Sequence, residues 1–503
     1  MKAHRRRYTM KHAKRSLCLI LTAFLFLGLF TGCTAKQEEE VKVTEETVNE
    51  TDNTVVETDN EKEEKQEDGR PEGAPPERPD GNGPGGTPPG GMPGGSSSSD
   101  IDYSGTVEIT SETSESNNTY ASDSSDVSAL LISTADDVTI SDLTVTKTGD
   151  SDGGDNCNFY GLNAAVLVKD GTTTTITGGT ITSSASGANG VFCYGGNGGH
   201  NGADGDGTTL IIKNTKITTT GNGSGGIMTT GGGTTYAYDL TVETSGGSSA
   251  PIRTDRGGGT VVVEGGTYTS NGLGSPAIYS TADVTVSDAT LVSNLSEGVC
   301  IEGKNSITLK DCDLIANNTK RNGNATFLDS IMIYQSMSGD ADSGTSSFTM
   351  EDGSLTSRNG HIFHVTNTNA VITLNDVDLI NEDSEDILLS VCDDGWSGAA
   401  NIATLKAIDQ ELEGGILVGS NSTLTLELSD GSSFEGYIDG TIVNASGKTV
   451  SDSVGTVSVI LDGTSTWTLT ADSYITSFEG DASNIIANGY KVYVNGTALS
   501  GTN

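Results

Sequence analysis

Few residues of this 503-residue chain are equipped for chemistry. Four arginines lie beyond residue 100, and two of them, Arg253 and Arg256, flank Asp255 in the stretch SAPIRTDRGGG. An arginine beside a carboxylate can hold an acidic group of a ligand or help to abstract a proton. The same trio can equally pair with itself in a turn. Other acids and histidines occur as Thr254–Asp255, Gly360–His361 and Asp393–Asp394. They are spread over several repeats, whereas two carboxyl groups that cleave a glycosidic bond must stand roughly 5–10 Å apart. His361 and His364 of HIFH are three apart, so strand alternation expects them on opposite faces and unable to share a metal. The loops GDSDGGDN and GADGDG offer Asp150, Asp152, Asp155, Asp204 and Asp206. These are hard donors of the kind Ca²⁺ collects, although neither loop has EF-hand spacing, and solvated acidic loops are the other reading. No motif requires a cofactor; Ca²⁺ is the one ion these residue types suggest.

The ends of the chain say where such chemistry would take place. Seven cations within the first 15 residues precede an apolar run, Leu17–Phe30. That run suits a signal-peptide core and is short of the about 20 residues of a membrane span. It leads into LFTGC, which resembles the lipobox of bacterial lipoproteins and implies lipidation at Cys33. Residues 34–100 pass from an acidic stretch to GAPPERPDGNGPGGTPPGGMPGGSSSS. Apolar groups there are too few to offset the ordering entropy, so this reads as a disordered linker. The formal charge of −41 disfavours nucleic acid and anionic membrane surfaces as partners.

From residue 101 to 503 a phrase of eight residues recurs. It begins at 138 (VTISDLTV), 174, 210, 235, 261, 284, 307, 348 and 372, a base period near 24 that is lengthened in three places by insertions. Positions one, three and eight are mostly apolar, as in a strand. Position five is Asp142, Gly178, Asn214, Asp239, Gly265, Asp288, Asp311, Asp352 and Asp376. Those residue types tolerate a left-handed backbone, so each phrase reads as strand, sharp turn, strand. A second strand signal precedes most phrases, among them GGIMTT, APIRT and PAIYS. Stacking such units predicts an all-β right-handed parallel β-helix of about 12–13 coils, with ladders such as Ile227–Ile252–Ile278 and a capping segment near NIIANGYKVYVNG. Thr139, Thr175, Thr285, Thr308, Thr349 and Thr373 recur at position two. Position four is mixed, so these threonines do not form the flat double array of an ice-binding face.

The repeat resembles the pectin-lyase-like β-helix superfamily, and the STWTLTADSYITSFEG ending resembles β-helical bacterial surface lipoproteins and adhesins. The superfamily holds polysaccharide lyases, glycoside hydrolases and non-catalytic adhesins, so the resemblance implies a fold and leaves the activity open. In the hydrolase pattern the Asp pair precedes the histidine, whereas here His361 comes first. The Arg-x-Pro-x-x-Arg phrase of pectate lyases is missing.

Aligning the repeats puts Arg253 outward, beside Met228 and Tyr279. Extending the stripe adds Tyr194, Glu302 and Tyr334, and with Asp255 and Arg256 this makes a candidate glycan platform of flat rings and charged groups. Cys157 and Cys193 are one coil apart and could bridge, while Cys312 belongs to a ladder of small residues and reads as a buried thiol. The reading that follows is a lipid-anchored, extracytoplasmic surface protein that binds a glycan or another cell-surface component without catalysis. A polysaccharide lyase or glycoside hydrolase and a structural spacer are the alternatives.

Overall fold

The turn at position five is what lets one phrase serve two walls of a coil. In the computed structural model, which describes residues 101–198, 204–321 and 323–503, every one of the nine position-five residues is left-handed. The aspartates and Asn214 have φ of 49–57°, and Gly178 and Gly265 have 73°. Strand pairing runs through these turns: Gly233–Thr244 bends at Asp239 and Gly259–Ser270 at Gly265. The expected signal segment, lipidated Cys33 and linker all lie outside the described residues.

Two long parallel sheets result. One has 15 strands and contains the second strand signals; the other has 18 strands and contains the phrases on both sides of their turns. The protein is therefore all-β, a right-handed parallel β-helix. Its 15 rungs exceed the expected 12–13 because the ends carry strands with weak phrases, such as Ser104–Ile109 and Ile485–Ile486. Antiparallel pairing is confined, among the described residues, to two places. One is the hairpin Thr441–Val443 with Thr449–Asp452, and the other is the C-terminal pair Val492–Val494 with Thr497–Ala498. In the latter, Val492 packs on the end of the core together with Ile485.

The interior is a ladder. Ile227, Ile252, Ile278, Val299, Ile331, Phe363, Leu389, Ile416 and Ile438 stack in register over nine rungs. All are buried in the main core, where each such side chain contributes about 1.5–3 kcal/mol relative to exposure. Cys312 is in this core as expected, its thiol 3.4 Å from the Val286 carbonyl.

The two sheets differ on their outer faces. In the 18-stranded sheet buried and accessible residues alternate, as in Ser306–Ala316. In the 15-stranded sheet whole strands are buried on both faces, including Ile227–Thr230, Val299–Glu302 and His361–Thr366. The insertions that lengthen the repeat fold over this face. Phe159 and Tyr160 of the short helix Asp155–Tyr160 pack on Leu167, Phe192 and Met228. Trp396 packs with Tyr279, Cys300, Met332 and Tyr334, and Phe327 with Ile387, Cys392 and Leu417.

Candidate functional site

The register of the 15-stranded sheet places the stripe residues in two columns. Met228, Arg253, Tyr279, Cys300, Met332, His364 and Ser390 follow one another on successive strands. Two positions further along, Glu302 lies beside Tyr334, and Tyr194 lies beside Thr230. Arg253 thus has the neighbours its repeat position implies. Its exposure is another matter: Arg253 is 4% exposed and Glu302 0%, because the inserts occupy the space above them.

There the charges are engaged with one another. Arg253 Nη2 is 2.9 Å from Asp255 Oδ2, and its Nη1 donates to Asn158 Oδ1 and the Ser248 carbonyl. Arg256 Nη2 is 2.6 Å from Asp340 Oδ1, and its guanidinium lies 4.2 Å from the centre of the Phe159 ring. The two arginines of SAPIRTDRGGG thereby pin two separate inserts, one carrying Asn158 and Phe159 and the other Asp340. Glu302 accepts from Tyr279 at 2.6 Å and Tyr334 at 3.0 Å through one oxygen, and from Ser336 and Ser338 through the other. Tyr194 meets Tyr160 edge-on at 5.8 Å. Burial pushes Asp255 up to about 7 against the pull of Arg253, and it raises Glu302 despite four hydroxyl donors. It also raises the phenols of Tyr279 and Tyr334.

A second polar cluster lies further along the same sheet, and it corrects the expectation for HIFH. His361 and His364 both place Nδ1 2.7 Å from Ser390 Oγ. Alternation fails because Ile362 and Phe363, consecutive in sequence, both enter the core, so the flanking histidines emerge on one side. His364 Nε2 is 3.2 Å from Asp394 Oδ2, and Asp394 also accepts from the Thr326 and Gly395 amides. The hydroxyl of Ser390 thus stands between the two imidazoles, and His364 stands between Ser390 and the Asp394 carboxylate. That order, hydroxyl to imidazole to carboxylate, is the one used for nucleophilic attack. Here it is sealed. Ser390 and His364 are 0% exposed, and the Phe327 ring lies 5.4 and 4.7 Å from the two imidazoles. Burial drives His361 down to about 3. The adjoining His364 imidazole and the Thr326 amide hold Asp394 below the usual carboxylate range, against its own burial.

Glu297 and Asp329 complete this second cluster, and neither stood out in the sequence. Ser390 of DILLSV was equally inconspicuous. The only signal pointing to it was the stripe itself, extended past Met332 to His364 and Ser390.

The remaining candidates are apart from these clusters. Asp150 accepts from the Ser186 amide, Asp206 closes a turn on Thr208, and Asp152, Asp155 and Asp204 are exposed. Among the described residues no three His, Cys, Asp or Glu side chains converge as metal ligands. Cys157 and Cys193 are both free, which corrects the expected bridge. Cys193 points into the core, whereas Cys157 sits on the short helix over the outer face, with its thiol on Ser151. The 18-stranded sheet, in contrast, shows a pattern beyond positions two and four. On the strands after the turn, Thr144 and Thr146 lie in register with Thr180 and Thr182, Lys216 and Thr218, Thr241 and Glu243, and Thr267 and Thr269. All ten side chains are exposed or partly exposed.

No family model, no curated protein and no solved structure matches this chain.

Proposed function

We propose that this is a lipid-anchored protein of the bacterial cell surface that attaches to a glycan or another surface component without cleaving it. The reading rests on one contrast. Arg253, Asp255, Glu302, His361 and His364, the groups best suited to cleave a polymer, are buried and engaged with their neighbours, and the exposed Asp393 accepts from Asn401. The two columns of the 18-stranded sheet, threonine at all but Lys216 and Glu243, remain accessible, with side chains repeating about every 4.8 Å along the stack. A regular surface of that kind suits an extended polymer better than a single small molecule. A pectin-lyase-like ancestry fits this reading as well as it fits an enzyme.

The test uses purified full-length protein in detergent with a panel of neutral and acidic polysaccharides. Retention without new reducing ends or unsaturated products is the expected result. Replacing Thr182 and Thr269 together by lysine should weaken retention at least ~10-fold while leaving the unfolding temperature nearly unchanged, since both are surface sites. Product formation that disappears in Ser390→Ala would replace this reading with the enzyme reading. Retention indifferent to both lysines would remove the threonine face from it.

A further inference from the structure

Beneath the covering loops lies a group of oxygen atoms with no positive charge to serve them. Asp329 is 1% exposed and neither carboxylate oxygen has a hydrogen-bond donor. Asn318 is also 1% exposed. Its Nδ2 donates to the Asp329 carbonyl, while its Oδ1 has no partner. Glu297 is 5% exposed, accepts from Ser296, and lies close enough to Asp329 to raise its carboxyl. Among the described residues no lysine or arginine forms an ion pair with either acid. His361, opposite Asp329 in the register, is held neutral and occupied by Ser390.

We infer that Glu297, Asp329 and Asn318 form a binding site for a hard divalent cation of the Ca²⁺ class. Two buried carboxylates without a counter-charge are costly to keep ionised, and an ion supplies what the chain does not. The donor set is two carboxylates and an amide oxygen, which selects Ca²⁺ or Mg²⁺ over softer metals, with water completing six to eight ligands for Ca²⁺. The neighbouring Cys300 does not alter that choice, because burial and the two acids keep its thiol protonated. The site is separate from the aspartate loops at 150–155 and 204–206. Its ligands come from a strand, a position two residues before a strand and an insert, so the ion would fasten the insert beginning at Asn318 to the β-helix.

The experiment is calorimetric titration of Ca²⁺, and in parallel Mg²⁺, into chelator-treated full-length protein, with unfolding temperature as a second readout. One bound Ca²⁺ is expected, with an unfolding temperature that rises with Ca²⁺ concentration. Asp329→Asn should weaken binding at least ~10-fold and abolish that rise, yet keep the metal-free protein folded because it removes an uncompensated buried charge. Asp152→Asn should leave both readouts unchanged. Absence of Ca²⁺ and Mg²⁺ binding, or binding that survives in Asp329→Asn, would overturn the site. Binding lost in Asp152→Asn instead would move it to the acidic loops.

Discussion

Two polar clusters lie under inserts on the same sheet, and differ in how their charges are met. Around Arg253 and Arg256 each guanidinium has a carboxylate: Arg256 meets Asp340 of an insert, while Arg253 meets Asp255 of its own segment and reaches an insert through Asn158. Around Glu297 and Asp329 there are two acids, the His361 imidazole that burial holds neutral, and no arginine. Arg253, Asp255 and Asp340 are buried as Glu297 and Asp329 are, and only Arg256 is partly exposed. The difference teaches that a buried charge can act as a fastener only where an opposite charge compensates it, whether on its own segment, as for Arg253, or on the element being fastened, as for Arg256. In the first cluster that opposite is built into the chain, and in the second it must come from solution.

Breaking the first cluster should have the largest effect. Arg253→Met leaves Asp255 buried without its partner and removes the donors to Asn158 and Ser248. The expected loss is about 3–5 kcal/mol of stability at pH 8, measured by denaturant unfolding. At pH 5.5 the loss should shrink, because an unpaired Asp255 in that position takes up a proton instead. Equal losses at both pH values would show that packing, and not the ion pair, is what Arg253 supplies.

Arg256→Met is the smaller version of the same test. Its side chain is 28% exposed, so solvent screens the pair with Asp340, and the Met chain keeps part of the contact with Phe159. About 1–2 kcal/mol is expected. Protease sensitivity should rise in the segment holding Asn158 and Phe159 and in that holding Asp340, since this one side chain touches both. A loss as large as that of Arg253→Met would mean that the two pairs act as one unit.

These clusters also mark where the sequence could be read and where it could not. Position five was legible because a left-handed backbone admits few residue types, and Asp288 or Asn214 announces itself by identity alone. The neighbours of Arg253 were legible because identical coils stack in register. Its burial was not legible, since the inserts that cover it interrupt the repeat and carry no phrase. HIFH misled for a local reason: alternation assumes one residue in and one out, and Ile362 with Phe363 breaks it. Cys157 failed as a disulfide partner because equal coil length says nothing about which layer an inserted residue occupies.

The smallest expected effect concerns pH and separates the clusters without a mutation. Burial raises Asp255, Glu297, Glu302 and Asp329 in the folded chain. Between the ordinary carboxylate value of about 4 and the raised values, the folded state binds more protons than the unfolded one, so stability falls as pH rises. His361 acts oppositely, losing stability as pH falls from about 6.5 towards 3, but it is one group against four. The metal-free protein should therefore melt about 2–4 °C higher at pH 5.5 than at pH 7.5. High salt should not erase the difference, as it would if repulsion across a surface of net charge −41 were the cause. Saturating Ca²⁺ should remove the share due to Glu297 and Asp329 and leave that of Asp255 and Glu302. A pH dependence untouched by Ca²⁺ would put the whole effect in the arginine cluster and make the two clusters alike after all.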